Sequence, residues 1–244
     1  MKYIEWKKFD NVRAFTTTRE IGNIGYQVGN NYLGVRKARE TIAKDLKIPE
    51  ECIVFVHQTH SDLIKEVTFK DKGKGMLDFV SGVESDALYT KKTNLALGIF
   101  HADCVPLFFY IPKKKIVGII HAGFSGSLKR ITEKSIAYLK NEEKVNPKDI
   151  FVHIGPSRKF FSYKINKYDA SLISALGYEK SLKFSGQHIF VDVPFMNYLQ
   201  LLKEGVLPEN ITVTEEDTYD NPRLFSAYEK TPVGRMASII MRIE

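Results

Sequence analysis

Two apolar runs in the middle of the chain, "LGIFHADCVPLFFY" (97–110) and "KIVGIIHA" (115–122), constrain the fold more than any other feature. Both are dense in strand-forming residues, and "IPKKKI" between them reads as a tight hairpin connection with lysines at its tip. His101, Asp103, Cys104 and His121 nevertheless interrupt the two runs. Burying such groups costs free energy unless each finds a partner. The chain must therefore bring something to them.

The rest of the sequence supplies elements to pack around this hairpin. No repeat, low-complexity stretch or Pro/Gly/Ser-rich linker divides the 244 residues, so one domain over 1–244 is expected. Strands are predicted at 2–8 and 11–17, then a glycine-containing loop at 21–30 and a helix over about 33–46. In that helix Val35, Ala38, Ile42 and Leu46 keep helical spacing. Further strands are predicted at 52–56, 63–69, 86–90, 95–101, 106–111, 115–122 and 150–155, with a closing strand at 235–243. Helices are expected at about 127–140, 166–176 and 194–204. Mixed strands and peripheral helices without regular βαβ alternation define an α+β layered fold.

Composition narrows the function classes. A hydrophobic content of 43% and a charged content of 27% are those of a soluble globular protein. No run reaches the length of a membrane span, and "MKYIEWKKFD" has no apolar core of a secretory signal. Two cysteines, Cys52 and Cys104, make no disulfide framework and suit a cytoplasmic protein. The net charge of +7 sits in turn-like pieces at 70–75, 91–92 and 113–115. No basic helix or aromatic-basic interleaving accompanies it, so solvated turns are expected rather than a nucleic-acid surface. The "NIT" sequon at 210–212 carries no meaning in the cytoplasm.

His60, Cys104 and His121 each fall where a predicted strand gives way to a turn of small or polar residues. Two imidazoles and a thiolate form a three-ligand set with a fourth position left open, the arrangement of a catalytic zinc. Zinc would also turn a buried thiol into a satisfied anion. The three are too far apart along the chain for a compact zinc-finger pattern, and three polar residues satisfied separately in a core is the competing reading. After His121 comes "AGFSGSLKRI", a Gly/Ser turn opening a helix. Gly123 and Gly126 allow close backbone approach, Ser125 or Ser127 can cap the helix, and its N–H groups suit an anion. Together these features point to a metal-assisted reaction on, or with, phosphate.

The segments "QTHSD", "ESDALYT", "HADCVPLFFY", "HAGFSGS" and "IGPS" resemble, in order, the motifs of the YfiH-type laccase-domain family. "TTR" (17–19), "NIGYQVGN" (23–30) and "GR" (234–235) extend the resemblance over nearly the whole chain. That family was once described as multicopper polyphenol oxidoreductases and is now understood as zinc-dependent purine nucleoside phosphorylases. The resemblance implies an α-β-β-α layered sandwich with mixed sheets, and zinc held by His60, Cys104 and His121. It puts Asp103 and Asp86 on recurring acids and Arg39 on an arginine of the first helix, a candidate substrate or phosphate contact. The implied reactions are phosphorolysis of adenosine, inosine, guanosine and 5′-methylthioadenosine, with phosphate as co-substrate, and deamination of adenosine. Phe124 and Ser125 replace the family's usual tryptophan and arginine, and "SAYEK" (226–230) replaces "SYRRD". Lys129, Arg130, Arg158, Arg19 and Arg39 are the candidates for the missing charge.

Asp103, beside a ligand, is either the proton-handling acid or the group that fixes the tautomer of a ligating histidine. Three rival readings remain. A copper-binding polyphenol oxidoreductase needs a blue-copper set and a histidine-rich trinuclear cluster, and six histidines cannot furnish both. A metal-free Cys104/His121 hydrolase or deamidase would use the thiol as nucleophile. A non-catalytic protein would keep zinc for structure alone. Elsewhere, Cys52 reads as a small buried hydrophobe, His57 as support for a ligand, His153 as a cleft residue and His188 as surface. Tyr163, Phe124 and Phe160 are aromatic residues available to stack on a purine or to pack.

Overall fold

The computed structural model describes residues 1–228 and 233–244. In chain order its elements are β1 (Tyr3–Glu5), β2 (Val12–Thr17), α1 (Tyr32–Leu46), β3 (Ile53–His57), β4 (Ile64–Glu66), β5 (Val83–Glu84), β6 (Ala87–Thr90) and β7 (Ala96–His101). Then come β8 (Val105–Ile111), β9 (Ile116–Ala122), α2 (Phe124–Leu128), α3 (Ile131–Glu142), β10 (Phe151–Ile154), β11 (Lys164–Ile165) and α4 (Lys167–Ala175). The chain closes with β12 (Leu182–Ser185), β13 (His188–Val191), α5 (Val193–Lys203), β14 (Ile211–Val213) and β15 (Met236–Arg242).

Two mixed six-stranded sheets form the frame, ordered β1-β2-β15-β7-β3-β5 and β14-β10-β8-β9-β6-β4. Val54, Leu97, Ile99 and Ile240 of the first sheet pack against Phe108, Tyr110, Val117 and Ile119 of the second. On the outer face of the first sheet, Ala38, Ile42 and Leu46 of α1 cover Ile53, Phe55, Phe100 and Ile239. On the outer face of the second, Ile136 and Leu139 of α3 and Met196 and Leu201 of α5 cover Leu107, Phe109 and Ile120. The order is helix, sheet, sheet, helix, as the resemblance implies. It also explains the unbroken apolar runs. Every residue of β8 and β9 is buried, because a strand covered on both faces has no solvent side on which to alternate.

Most expected elements occur within a residue or two. The helix expected at 127–140 does not form as one piece: α2 ends at Leu128, Arg130 takes a left-handed φ of 64°, and α3 starts anew. The cause is tertiary. Gln200 Nε2 of α5 donates to the Ser127 carbonyl at 2.9 Å and Asn197 Nδ2 donates to the Ser127 hydroxyl at 2.8 Å, holding the end of α2 in place. The three-stranded sheet β11-β13-β12 carried no signal in the sequence that was recognised. No described helix is long and apolar enough to cross a membrane.

Gly118 shows how tightly the hairpin is packed. It pairs with Phe109 across β8 and β9, and a Cβ added there would lie 2.0 Å from Phe109 Cζ and 2.6 Å from the Leu88 carbonyl. Neither a ring locked in a core nor a backbone oxygen can retreat cheaply. Gly118→Ala is expected to destabilise the protein by about 2–3 kcal/mol, read as a lowered urea midpoint at unchanged slope.

Candidate metal centre

The ends of the β3, β7–β8 and β9 segments bring together one group of potential metal ligands among the described residues. The ligand atoms of His60, Cys104 and His121 all lie within 4.8 Å of one another. His121 is on β9 and buried, Cys104 is in the turn between β7 and β8, and His60 follows β3 on an exposed loop. The backbone is bent to make this meeting. His60 has φ 55° and Asp103, next to Cys104, has φ 86°, a left-handed region that residues with a Cβ seldom occupy and that clusters at functional sites.

Asp86 holds the arrangement. Its carboxylate, fully buried at 0% exposure, accepts from the backbone N–H groups of Thr59 (3.2 Å), His60 (3.2 Å) and Ser61 (2.6 Å) and from the Ser61 hydroxyl (2.7 Å). It also accepts from His121 Nδ1 at 2.9 Å. Burial alone would push the Asp86 carboxyl up, but His121 and Ser61 outweigh it and hold it at about 2. An ionised carboxylate only accepts, so His121 Nδ1 carries a proton and Nε2 is the atom left for a metal, which would displace any proton there. Burial likewise works against the Cys104 thiolate, yet the His121 and His60 imidazoles bring the thiol down to about 6. Against burial, the Cys104 sulfur and then Asp86 raise His121 to about 9. The thiolate form that a metal requires is thus already favoured.

Gly123 completes the fit. A Cβ there would stand 3.0 Å from His60 Cδ2, 3.1 Å from Cys104 Sγ and 3.3 Å from His60 Nε2. A side chain there would press on both His60 and Cys104, and glycine avoids that contact. Two nitrogens and a sulfur converging beside this glycine, with one imidazole oriented by a carboxylate, fit a metal such as zinc.

Asp86, not Asp103, fixes the tautomer of His121. The Asp103 carboxylate instead accepts from Thr218 Oγ1 (2.7 Å), Ser226 Oγ (3.0 Å) and the Ala227 N–H (2.8 Å), binding the C-terminal segment to the turn that carries Cys104. Arg39 is fully buried at 0% exposure. It donates to the carbonyls of Ile24, Gly75 and Met76 under the rings of Tyr26, Phe55 and Phe100. Its Nε and Nη1 are thus spent on backbone carbonyls, and Nη2 is buried without a partner.

The Gly/Ser turn also differs from expectation. Gly123, not a serine, is the N-cap of α2, and no side chain caps it. The Ser127 hydroxyl is engaged by Asn197. Ser125 is exposed, and Gly126 is buried against the Ser61 carbonyl, with a Cβ there 3.6 Å from that oxygen. Lys129 Nζ donates to the His60 carbonyl at 2.6 Å, bracing the ligand loop. Of the other histidines, His57 meets the Phe79 carbonyl at 3.3 Å, His153 stacks between Trp6 and Phe108, and His188 is exposed. His101 bonds Ser238, which bonds Thr16, in a buried chain. Glu229 and Lys230 of "SAYEK" lie outside the described residues. Thr218 and Ser226 were missed altogether, since a lone hydroxyl in a loop carries no signal in sequence.

Fold and site together define an α/β sandwich with a His₂Cys group built on its central hairpin. Residues 15–243 match the family described as multi-copper polyphenol oxidoreductase laccase. The purine nucleoside phosphorylase YlmD of Bacillus subtilis (strain 168) is 33% identical, over 89% of this chain and 81% of its own. A purine nucleoside phosphorylase of Staphylococcus saprophyticus, SSP1584, is 32% identical over 97% and 94%. The crystal structure of YlmD from Geobacillus stearothermophilus matches with a TM-score of 0.94 at 28% identity, covering 100% of this chain and 97% of that one. The chain belongs to this YfiH-type laccase-domain family.

Two expectations test the centre. Asp86→Asn, which sets an amide against N–H donors, should cost about 3 kcal/mol in metal-free protein at pH 7 and weaken zinc binding about 10- to 100-fold. The Asp86 carboxyl is lower in the folded state than in the unfolded one. Its stabilisation is therefore complete above about pH 4 and fades as pH falls through about 2, and urea curves of the two proteins should converge there. Gly123→Ala should lower zinc affinity about tenfold or more in chelator competition, because the new methyl presses on the His60 ring and the Cys104 sulfur.

Proposed function

We propose that this protein is a zinc-dependent purine nucleoside phosphorylase acting on adenosine, inosine, guanosine and methylthioadenosine in the cytoplasm, and that it also deaminates adenosine. One observation carries the reading: His60, Cys104 and His121 converge within 4.8 Å of one another, beside Gly123, which has no side chain to crowd His60 and Cys104. The names of the phosphorylase relatives support the reaction class. Bound there, zinc would supply Lewis acidity beside an open position for a reactant.

The chain's own residues do the rest. Asp86 keeps the proton on His121 Nδ1 and holds the His60 loop by three N–H groups. Asp103, engaged by three donors, acts by positioning the Cys104 turn. Phe124, the residue after Gly123, packs on Tyr163 with ring centroids 5.7 Å apart.

One observation favours a second reading. Cys104, His121 and Asp86 stand in the order of a thiol, its base and the group that orients the base, as a metal-free nucleophilic hydrolase or deamidase requires. His60 argues against it, because a second imidazole at the sulfur serves a metal and has no place in such a triad. Copper chemistry of the laccase kind is disfavoured by ligand count, since one three-residue group occurs among the described residues.

With zinc, Cys104→Ala or His121→Ala should abolish release of free base from nucleoside and phosphate, measured alongside metal content. Full activity in either variant would refute the assignment. Chelation should abolish activity and expose Cys104 to alkylation. Activity that survives chelation belongs to the metal-free reading.

A further inference from the structure

Arg158 is a buried cation with an unmet hydrogen bond beside the centre. It is 6% exposed, and no carboxylate among the described residues pairs with it. Nε donates to Ser162 Oγ at 3.1 Å and Nη2 donates to the Ser162 carbonyl, while Nη1 has no partner. The guanidinium lies in a cage of rings, 3.7 Å from the centroid of Tyr228, 4.8 Å from Tyr163 and 5.2 Å from Tyr219. An unpaired donor of a charged group in such a setting is costly. An anion would remove that cost.

The cage adjoins the metal ligands. Arg158 N donates to the Asp103 carbonyl at 3.0 Å, immediately before Cys104. Tyr163 packs on Phe124, the neighbour of Gly123. After burial, the nearby Cys104 thiolate is the next cause that pushes the Tyr163 phenol up. The loop that carries Arg158 is anchored at both ends: Gly155 N–H donates to the Pro106 carbonyl at 2.9 Å, and Lys159 N–H to Asp217 Oδ1 at 3.3 Å. Tyr228, 62% exposed as a residue, lays its ring over the guanidinium on the side nearest solvent.

We propose that Arg158 is the residue that receives inorganic phosphate next to the His60–Cys104–His121 centre. This rests on the phosphorylase reading for the identity of the anion. A guanidinium presents paired N–H groups that match a tetrahedral oxyanion, and the surrounding rings lower the local dielectric and strengthen the contact. The neutral nucleoside has no comparable use for the charge.

The test is calorimetric titration of zinc-loaded full-length protein with inorganic phosphate, paired with steady-state kinetics. Arg158→Met should weaken phosphate binding about tenfold or more. It should raise the KM for phosphate to match and change the KM for nucleoside less than about twofold, with zinc content unaltered. Arg158→Gln, which keeps a donor for Ser162, should behave likewise and replaces the Met variant should that one not fold. Unchanged phosphate affinity in a folded variant, equal loss of nucleoside and phosphate binding, or wild-type protein that binds no phosphate would each overturn the assignment. Phosphate binding that needs Arg158 without any nucleoside cleavage would keep this site and refute the phosphorylase. Cleavage with an unchanged KM for phosphate would do the reverse.

Discussion

The Asp86 carboxylate takes the backbone N–H groups of Thr59, His60 and Ser61 on one side and His121 Nδ1–H on the other. A single buried charge thereby fixes a loop and a strand that are distant in sequence, along with the two imidazoles they carry. Were it absent, the loop would have three backbone donors to satisfy elsewhere, and His121 would have no fixed tautomer. The charge is tolerable in the core because every donor around it is in place, which is the condition under which a buried ion stabilises rather than strains a fold.

Asp103 repeats the device one strand connection away. Its carboxylate gathers Thr218, Ser226 and Ala227, and its carbonyl receives the Arg158 N–H. Both His60 and the residue before Cys104 take left-handed backbone angles. In each case a buried aspartate supplies the hydrogen bonds that compensate: Asp86 for His60, and Asp103 for its own turn. Strain, buried charge and metal ligands coincide, as expected where a fold is shaped to present side chains rather than only to be stable.

Much of this was legible along the chain. The helix of α1 and the strands β6 to β9 follow from period and β-branched content, and the unbroken hydrophobicity of β8 and β9 follows from their burial on both faces. The three candidate ligands were legible because His and Cys at strand ends are conspicuous, and the structure brings their ligand atoms within 4.8 Å of one another. The break between α2 and α3 was not legible, because Asn197 and Gln200 impose it from another helix. The surroundings of Arg39 were not legible for a similar reason. A helix arginine looks the same in sequence whether it is exposed or, as here, bonded to three carbonyls inside the core.

The sequence by itself determined the main helices and strands, the layered class and the candidate metal ligands, because these depend on periodicity and on residue chemistry. Only the tertiary structure decided which acid orients His121, what surrounds Gly123, and where Arg39 and Arg158 lie. Those are distances between segments that local pattern does not encode. They exist once two sheets close on each other and the loops at their ends are held by charges from elsewhere in the chain.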